Sequence, residues 1–132
     1  MRTLFFLSLL LFASRAGAQE QVSDQYDAEG HLVASWQMDG QWAWYTGYYA
    51  DGSVKERGGY FGGKPHGRWQ QYDAQGHLVV QGRFDRGRQD GKWSFRNADG
   101  AQVIALRYRA GLLLTGERFD DQGELVERRD LR

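Results

Sequence analysis

The chain has 132 residues, with no cysteine, one proline, eighteen glycines, and 17 basic against 17 acidic side chains. That length suits one domain rather than two. The lack of cysteine excludes disulfide frameworks and thiolate metal sites, and the balanced charge excludes the surplus of Lys and Arg that nucleic-acid binding needs.

At the start, Met1-Arg2 precedes an apolar run from Leu4 to Ala13, followed by Ala16-Gly17-Ala18. This is the layout of a secretory signal peptide over residues 1–18, cut before Gln19. The run is about ten residues long, short of the roughly twenty that a spanning helix needs, so no stable membrane anchor is expected. Removing 1–18 takes Arg2 and Arg15 and no acid, which leaves 15 basic groups against 17 acidic ones. The expected location is periplasmic or extracellular, with residues 19–25 as a short lead.

From Tyr26 to Val126 the sequence repeats on itself at one dominant offset of about 24 residues, a period in the range of repeat architectures. The matched positions are Tyr60, Phe84 and Tyr108; Gly63, Gly87 and Gly111; Gly67 and Gly91; Trp69 and Trp93; Gly58 and Gly82; and Gly52, Gly76 and Gly100. Toward the N-terminus only the turns match, at Tyr26 to Gly30 and Tyr48 to Gly52. Between these turns Trp36, Trp42, Trp44 and Tyr45 crowd a shortened linker. Residues 127–132 read as a tail.

Each unit holds two short runs rich in aromatic and β-branched residues, separated by Gly and Asp clusters, which is the signature of a hairpin. Ala50-Asp51-Gly52, Ala74-Gln75-Gly76 and Ala98-Asp99-Gly100 suit three-residue loops with glycine in the left-handed position. The stretch from Phe84 to Gly91 reads as a second, longer connection. Glycine at this density disfavours helix, and no run keeps a 3.6-residue period. The expected fold is all-β, with tandem β-hairpins forming a single-layer twisted antiparallel meander. Counting through a three-residue loop puts Tyr72, Leu78, Val80, Gly82 and Phe84 on one face, and Trp69, Val79 and Gln81 on the other.

The order aromatic-x-x-Gly, a polar linker, Gly-x-Trp and an x-Asp-Gly turn resembles the MORN-variant repeats of bacterial proteins, some of them antitoxin-like. The match is strongest from Phe61 to Gly111 and departs at Arg96 and at Leu106, where an aromatic and a glycine would stand. The resemblance implies an elongated sheet surface offered to a partner, and no particular ligand.

Chemistry-bearing patterns are sparse. His31 and His77 follow turn glycines at a position filled by Ser53, Ala101 and Glu124 in the other units, and His66 sits in a loop-like Lys-Pro-His-Gly stretch. No metal-ligand spacing or nucleophile elbow occurs, so neither a metal, a cofactor nor an enzymatic activity is expected. The aromatic cluster Trp36, Trp42, Trp44, Tyr45, Tyr48 and Tyr49 is the candidate partner-binding site, because a single layer has little interior in which to bury so many rings. Capping of the array is the competing role for these rings. The leading expectation is a protein-binding module, antitoxin- or immunity-like. The alternative is a carbohydrate or cell-wall binder that stacks sugars on the same rings. Open sheet ends point to a homodimer through strand edges.

Overall fold

The computed structural model describes residues 21–131. The apolar start and the cleavage position before Gln19 lie outside the described residues. Ten strands follow: β1 (Gln21–Tyr26), β2 (Leu32–Asp39), β3 (Trp42–Tyr48), β4 (Val54–Phe61), β5 (Lys64–Tyr72), β6 (Leu78–Asp85), β7 (Arg88–Arg96), β8 (Gln102–Arg109), β9 (Leu112–Phe119) and β10 (Leu125–Asp130). They form one antiparallel sheet in the order β1 to β10. Each strand therefore pairs only with its sequence neighbours, as the regular turn signals predict. Most of the lead is taken up by β1, and most of the tail by β10.

Two kinds of turn alternate. In the three-residue loop after β5, the Gly76 N–H donates to the Asp73 carbonyl at 3.0 Å and the Asp73 N–H to the His77 carbonyl at 2.9 Å. Gly76 closes the loop at φ 87°, a conformation that glycine adopts without steric cost. The opposite ends of the strands carry two-residue turns, which corrects the long connection expected between Phe84 and Gly91. Asp85 pairs with Arg88, and the intervening Arg86 and Gly87 have φ of 49° and 87°. Positive φ at both central residues is the type I′ geometry, whose twist matches that of the flanking strands. The Gly87 N–H reaches back to the Pro65 carbonyl at 2.7 Å, and the Gly111 N–H to the Gln89 carbonyl at 2.9 Å, so each tight turn is tied to the hairpin before it.

The face assignment also needs correction. Trp69 pairs directly with Gly82 and meets the Phe84 ring at 5.7 Å, so it shares their face. A register shift between Gln71 and Tyr72 places one extra residue beside the loop, and one extra residue reverses the alternation. Tyr72 accordingly leaves that set: its ring lies 5.5 Å under the Arg57 guanidinium on the other side.

Among the described residues no large side chain is fully buried, so the stabilising core is a ladder of rings on one face of the layer, the ring face. The pairings align Trp36, Tyr45, Gly58, Trp69 and Gly82 in one row across the strands. A Cβ added to Gly58 would land inside the Trp69 ring, and one added to Gly82 inside the Trp93 ring. The indoles thus lie flat on bare backbone. Tyr60, Phe84 and Tyr108 stand edge-on beside them, with ring centroids 5.1–6.5 Å apart along Tyr60, Trp69, Phe84, Trp93 and Tyr108. Trp93 is 5% exposed and donates its indole N–H to the Arg83 carbonyl at 3.1 Å.

Candidate functional site

Alternation along β3 sends Tyr45 to the ring face, where it pairs with Trp36 and Gly58. It sends Trp42 and Trp44 to the opposite, open face. There they remain 37% and 43% exposed. Their ring centroids are 6.0 Å apart and their planes lie within 10° of parallel. Trp44 pairs with Gly59, which leaves bare backbone beside it. A Cβ on Gly59 would come within 2.9 Å of the His66 carbonyl, so that floor cannot carry a side chain without a shift. Phe61 and the His66 ring back Trp42 at 5.0 and 5.7 Å. Beside the two indoles runs a shallow groove of about 310 Å³, bounded by Arg57, His66, Arg68 and Gln70.

The polar wall of this groove is ordered. Arg57 donates from Nε to Gln70 Oε1 at 3.0 Å while its guanidinium covers Tyr72. Among the described residues neither Arg57 nor Arg68 has a carboxylate within ion-pair distance. Arg57 and Gln70 belong to a longer row: the pairings place Ser35, Thr46, Arg57, Gln70, Gln81 and Ser94 side by side on six successive strands. Such a row offers both hydrogen-bond donors and acceptors.

The six rings singled out in the sequence do not form one cluster. Trp36 and Tyr45 contact each other at 4.8 Å on the ring face, and Tyr45 stacks toward Trp69 at 6.2 Å. Burial and the nearby Glu56 carboxylate hold the Tyr45 phenol above its usual pKa. Tyr49 donates its hydroxyl to the Tyr72 carbonyl at 2.7 Å, which ties one turn to the next. Tyr48 is half-buried at the end of β3. Of the six, Trp42 and Trp44 bring their rings to the groove's face, and Tyr45 borders it from its place next to Trp44 on β3. Their companions Arg57, Phe61, His66 and Gln70 were not singled out from sequence. Period-two alternation on β3 and β4 would have grouped Trp42 with Trp44 and Arg57 with Phe61, whereas joining the two groups requires the register.

His31 and His77 flank turns. His77 Nδ1 lies 2.9 Å from Asp73 Oδ2, and His31 Nδ1 lies 3.0 Å from Asp27 Oδ2. Asp27, Glu29 and His31 bring possible ligand atoms within 4.8 Å of one another. Both Asp27 oxygens are already engaged, Oδ1 by the Glu29 and His31 amides and Oδ2 by the His31 ring. The carboxylates of Asp27, Asp51, Asp73, Asp90 and Glu127 all sit below their ordinary pKa, held there by turn amides, a serine or arginines. Each is thereby kept as an anionic acceptor.

No family model matches the chain, and no curated protein matches it. Among solved structures it is similar to TarM, at 15% identity and a TM-score of 0.42 over 76% of this chain and 19% of that one. It is likewise similar to an S. aureus TarM mutant in complex with fondaparinux, alpha-GlcNAc-glycerol and UDP, at 14% identity and a TM-score of 0.40 over 78% of this chain and 20% of that one. The chain spans about a fifth of the length of these two structures.

Proposed function

We propose that the chain is a non-enzymatic binding module that takes a carbohydrate or cell-wall glycan on its open face. The observation that carries this reading is the exposed, near-parallel Trp42–Trp44 pair bordering a groove walled by Arg57 and Gln70. An indole face accepts the C–H surface of a sugar ring, and the guanidinium and amide answer its hydroxyls. The groove is open along its length, which suits a chain crossing it better than a small molecule enclosed by it. In this reading residues 1–18 direct export to the periplasm or beyond, and the repeats are of the MORN-variant kind. A protein partner, antitoxin- or immunity-like, is the second reading. It is favoured by β1, whose residues are all exposed and which is an edge strand among the described residues; such an edge could accept an added strand.

The test is tryptophan fluorescence titrated with N-acetylglucosamine oligomers, together with sedimentation on insoluble peptidoglycan. Saturable quenching and retention are expected, and Trp42→Ala or Trp44→Ala should weaken them about tenfold or more. Both rings are substantially exposed, so the melting temperature should change little. No response to any glycan, with one stoichiometric protein captured from envelope extract, would replace the glycan reading with the second one.

A further inference from the structure

We propose that the ligand of the open face is a linear acidic polysaccharide lying across the strands, its anionic groups seated on a basic stripe of Arg68, Arg83, Lys92 and Arg107. The inference rests on the glycan reading above and narrows it to a chemical class.

The stripe follows from the register. Arg68 on β5 pairs directly with Arg83 on β6, and Lys92 on β7 pairs directly with Arg107 on β8. Each lies next in sequence to a residue of the ring face, namely Trp69, Gly82, Trp93 or Leu106, so all four point to the open face. All four are exposed. Like charges directly opposite one another on neighbouring strands destabilise a sheet, and here the arrangement occurs twice in succession. Arg83 is relieved by Asp90, at 2.7 Å. Arg68, Lys92 and Arg107 have no carboxylate within ion-pair distance among the described residues. The other acids of this face stand at its margins, Asp24 and Asp39 on one side and Glu117 and Asp130 on the other. Asp85 lies at the turn end, near His66 and Arg86.

An anion laid over the stripe removes the repulsion that the fold tolerates. Strands are about 4.8 Å apart, so the four charges span about 14 Å at right angles to the strands. That is the layout an extended chain bearing repeated acidic groups would match. Gln70, Gln81 and Ser94 run in the adjoining row, and they supply neutral partners that a sugar hydroxyl uses and a simple polyanion does not. Arg68 also borders the groove beside Trp42 and Trp44, which makes the stripe continuous with the stacking platform.

The test compares affinities for a neutral N-acetylglucosamine oligomer, an oligogalacturonate, a sulfated dextran oligomer and polyglutamate, at low and high salt. An acidic oligosaccharide should bind about tenfold more tightly than the neutral one at low salt and lose that advantage as salt rises. The two acidic arms show whether carboxylate or sulfate is the preferred anion. In Lys92→Gln/Arg107→Gln the ratio of acidic to neutral affinity should fall about tenfold. The melting temperature of this variant should hold or rise, because a like-charge pair has been removed; Lys92→Gln alone serves if the double variant folds poorly. Equal affinity for neutral and acidic oligosaccharides would overturn the inference and leave the glycan reading standing. Polyglutamate binding as tightly as either acidic sugar would also overturn it, because the stripe would then read charge alone. If nothing binds, the glycan reading fails and the inference goes with it.

Discussion

Asp73 holds its turn together through its side chain. Oδ1 accepts the Gln75 and His77 amides at 3.0 and 2.9 Å, and the His77 ring stands at Oδ2. Asp27 and Asp120 accept amides two and four residues on in the same way. Desolvation alone would raise the Asp73 pKa, but the contacts with His77 and Gln75 outweigh it and the net shift is downward. For Asp27 the His31 amide is the largest cause of the same downward shift. A carboxyl whose pKa is depressed by folding stabilises the fold above its unfolded pKa, and that contribution is lost as pH falls through the folded value. The melting temperature should therefore drop as pH is lowered from about 5 to about 2, and Asp27→Asn/Asp73→Asn should flatten that dependence. The Asn oxygen can keep the amide bond, as Asn97 does with the Ala101 N–H at 3.0 Å. An unchanged pH profile in the double variant would place the acid sensitivity elsewhere. The sequence shows His31 and His77 as turn flanks, which is where they lie. The aspartate in front of them is harder to see, because Tyr49 takes its place in the second unit and Asn97 in the fourth, and a side-chain-to-amide bond leaves no hydrophobic period to follow.

A hairpin of this sheet is stabilised by what covers its glycines. Gly82 has an ordinary negative-φ strand conformation, and its lack of a side chain is what lets Trp93 lie against the backbone. Gly82→Ala must push the buried Trp93 indole off its seat and strain its bond to the Arg83 carbonyl. The expected cost is about 3 kcal/mol, the upper range for overpacking. Gly116 occupies a corresponding row position, but its neighbour is Leu106, whose nearest atom would lie 3.5 Å from an added Cβ. Gly116→Ala should stay within about 0.5 kcal/mol of the parent. Urea unfolding of the two variants decides whether the ring stacking or glycine itself matters. The repeat of Gly58 with Trp69 and Gly82 with Trp93 was legible as a spacing, as was the departure at Leu106. Which face each ring takes was not, because the bulge beside each three-residue loop adds a residue that no count of loop length reveals. The binding candidates were obscured for a different reason: β2 and β3 pair without a bulge, but it is the pairing of Trp36 with Tyr45, invisible in the residue types, that sends Trp36 into the ladder and Trp44 to solvent.

At the largest scale the described residues form a ribbon of neighbour-paired strands with β1 and β10 at its two edges, and these edges differ. Four of the six residues of β10 are charged, Glu127, Arg128, Arg129 and Asp130, and charged side chains are a common guard against strand addition. β1 carries only Asp24, and its Val22 is 64% exposed. Association is therefore expected at β1, antiparallel between two copies, which extends the sheet from ten strands to twenty. A twofold axis perpendicular to the sheet keeps both open faces on the same side. A long glycan could then engage both platforms, and linked sites raise avidity without any new contact. Sedimentation velocity should show a concentration-dependent dimer. Val22→Lys would place two cations near the pairing strands, so it should shift the population to monomer without changing the melting temperature of the monomer. Affinity for a short neutral oligosaccharide should be untouched by Val22→Lys, while affinity for a long neutral polymer should fall. A dimer that survives Val22→Lys, and is lost instead when the charges of β10 are altered, would reverse the assignment of the two edges.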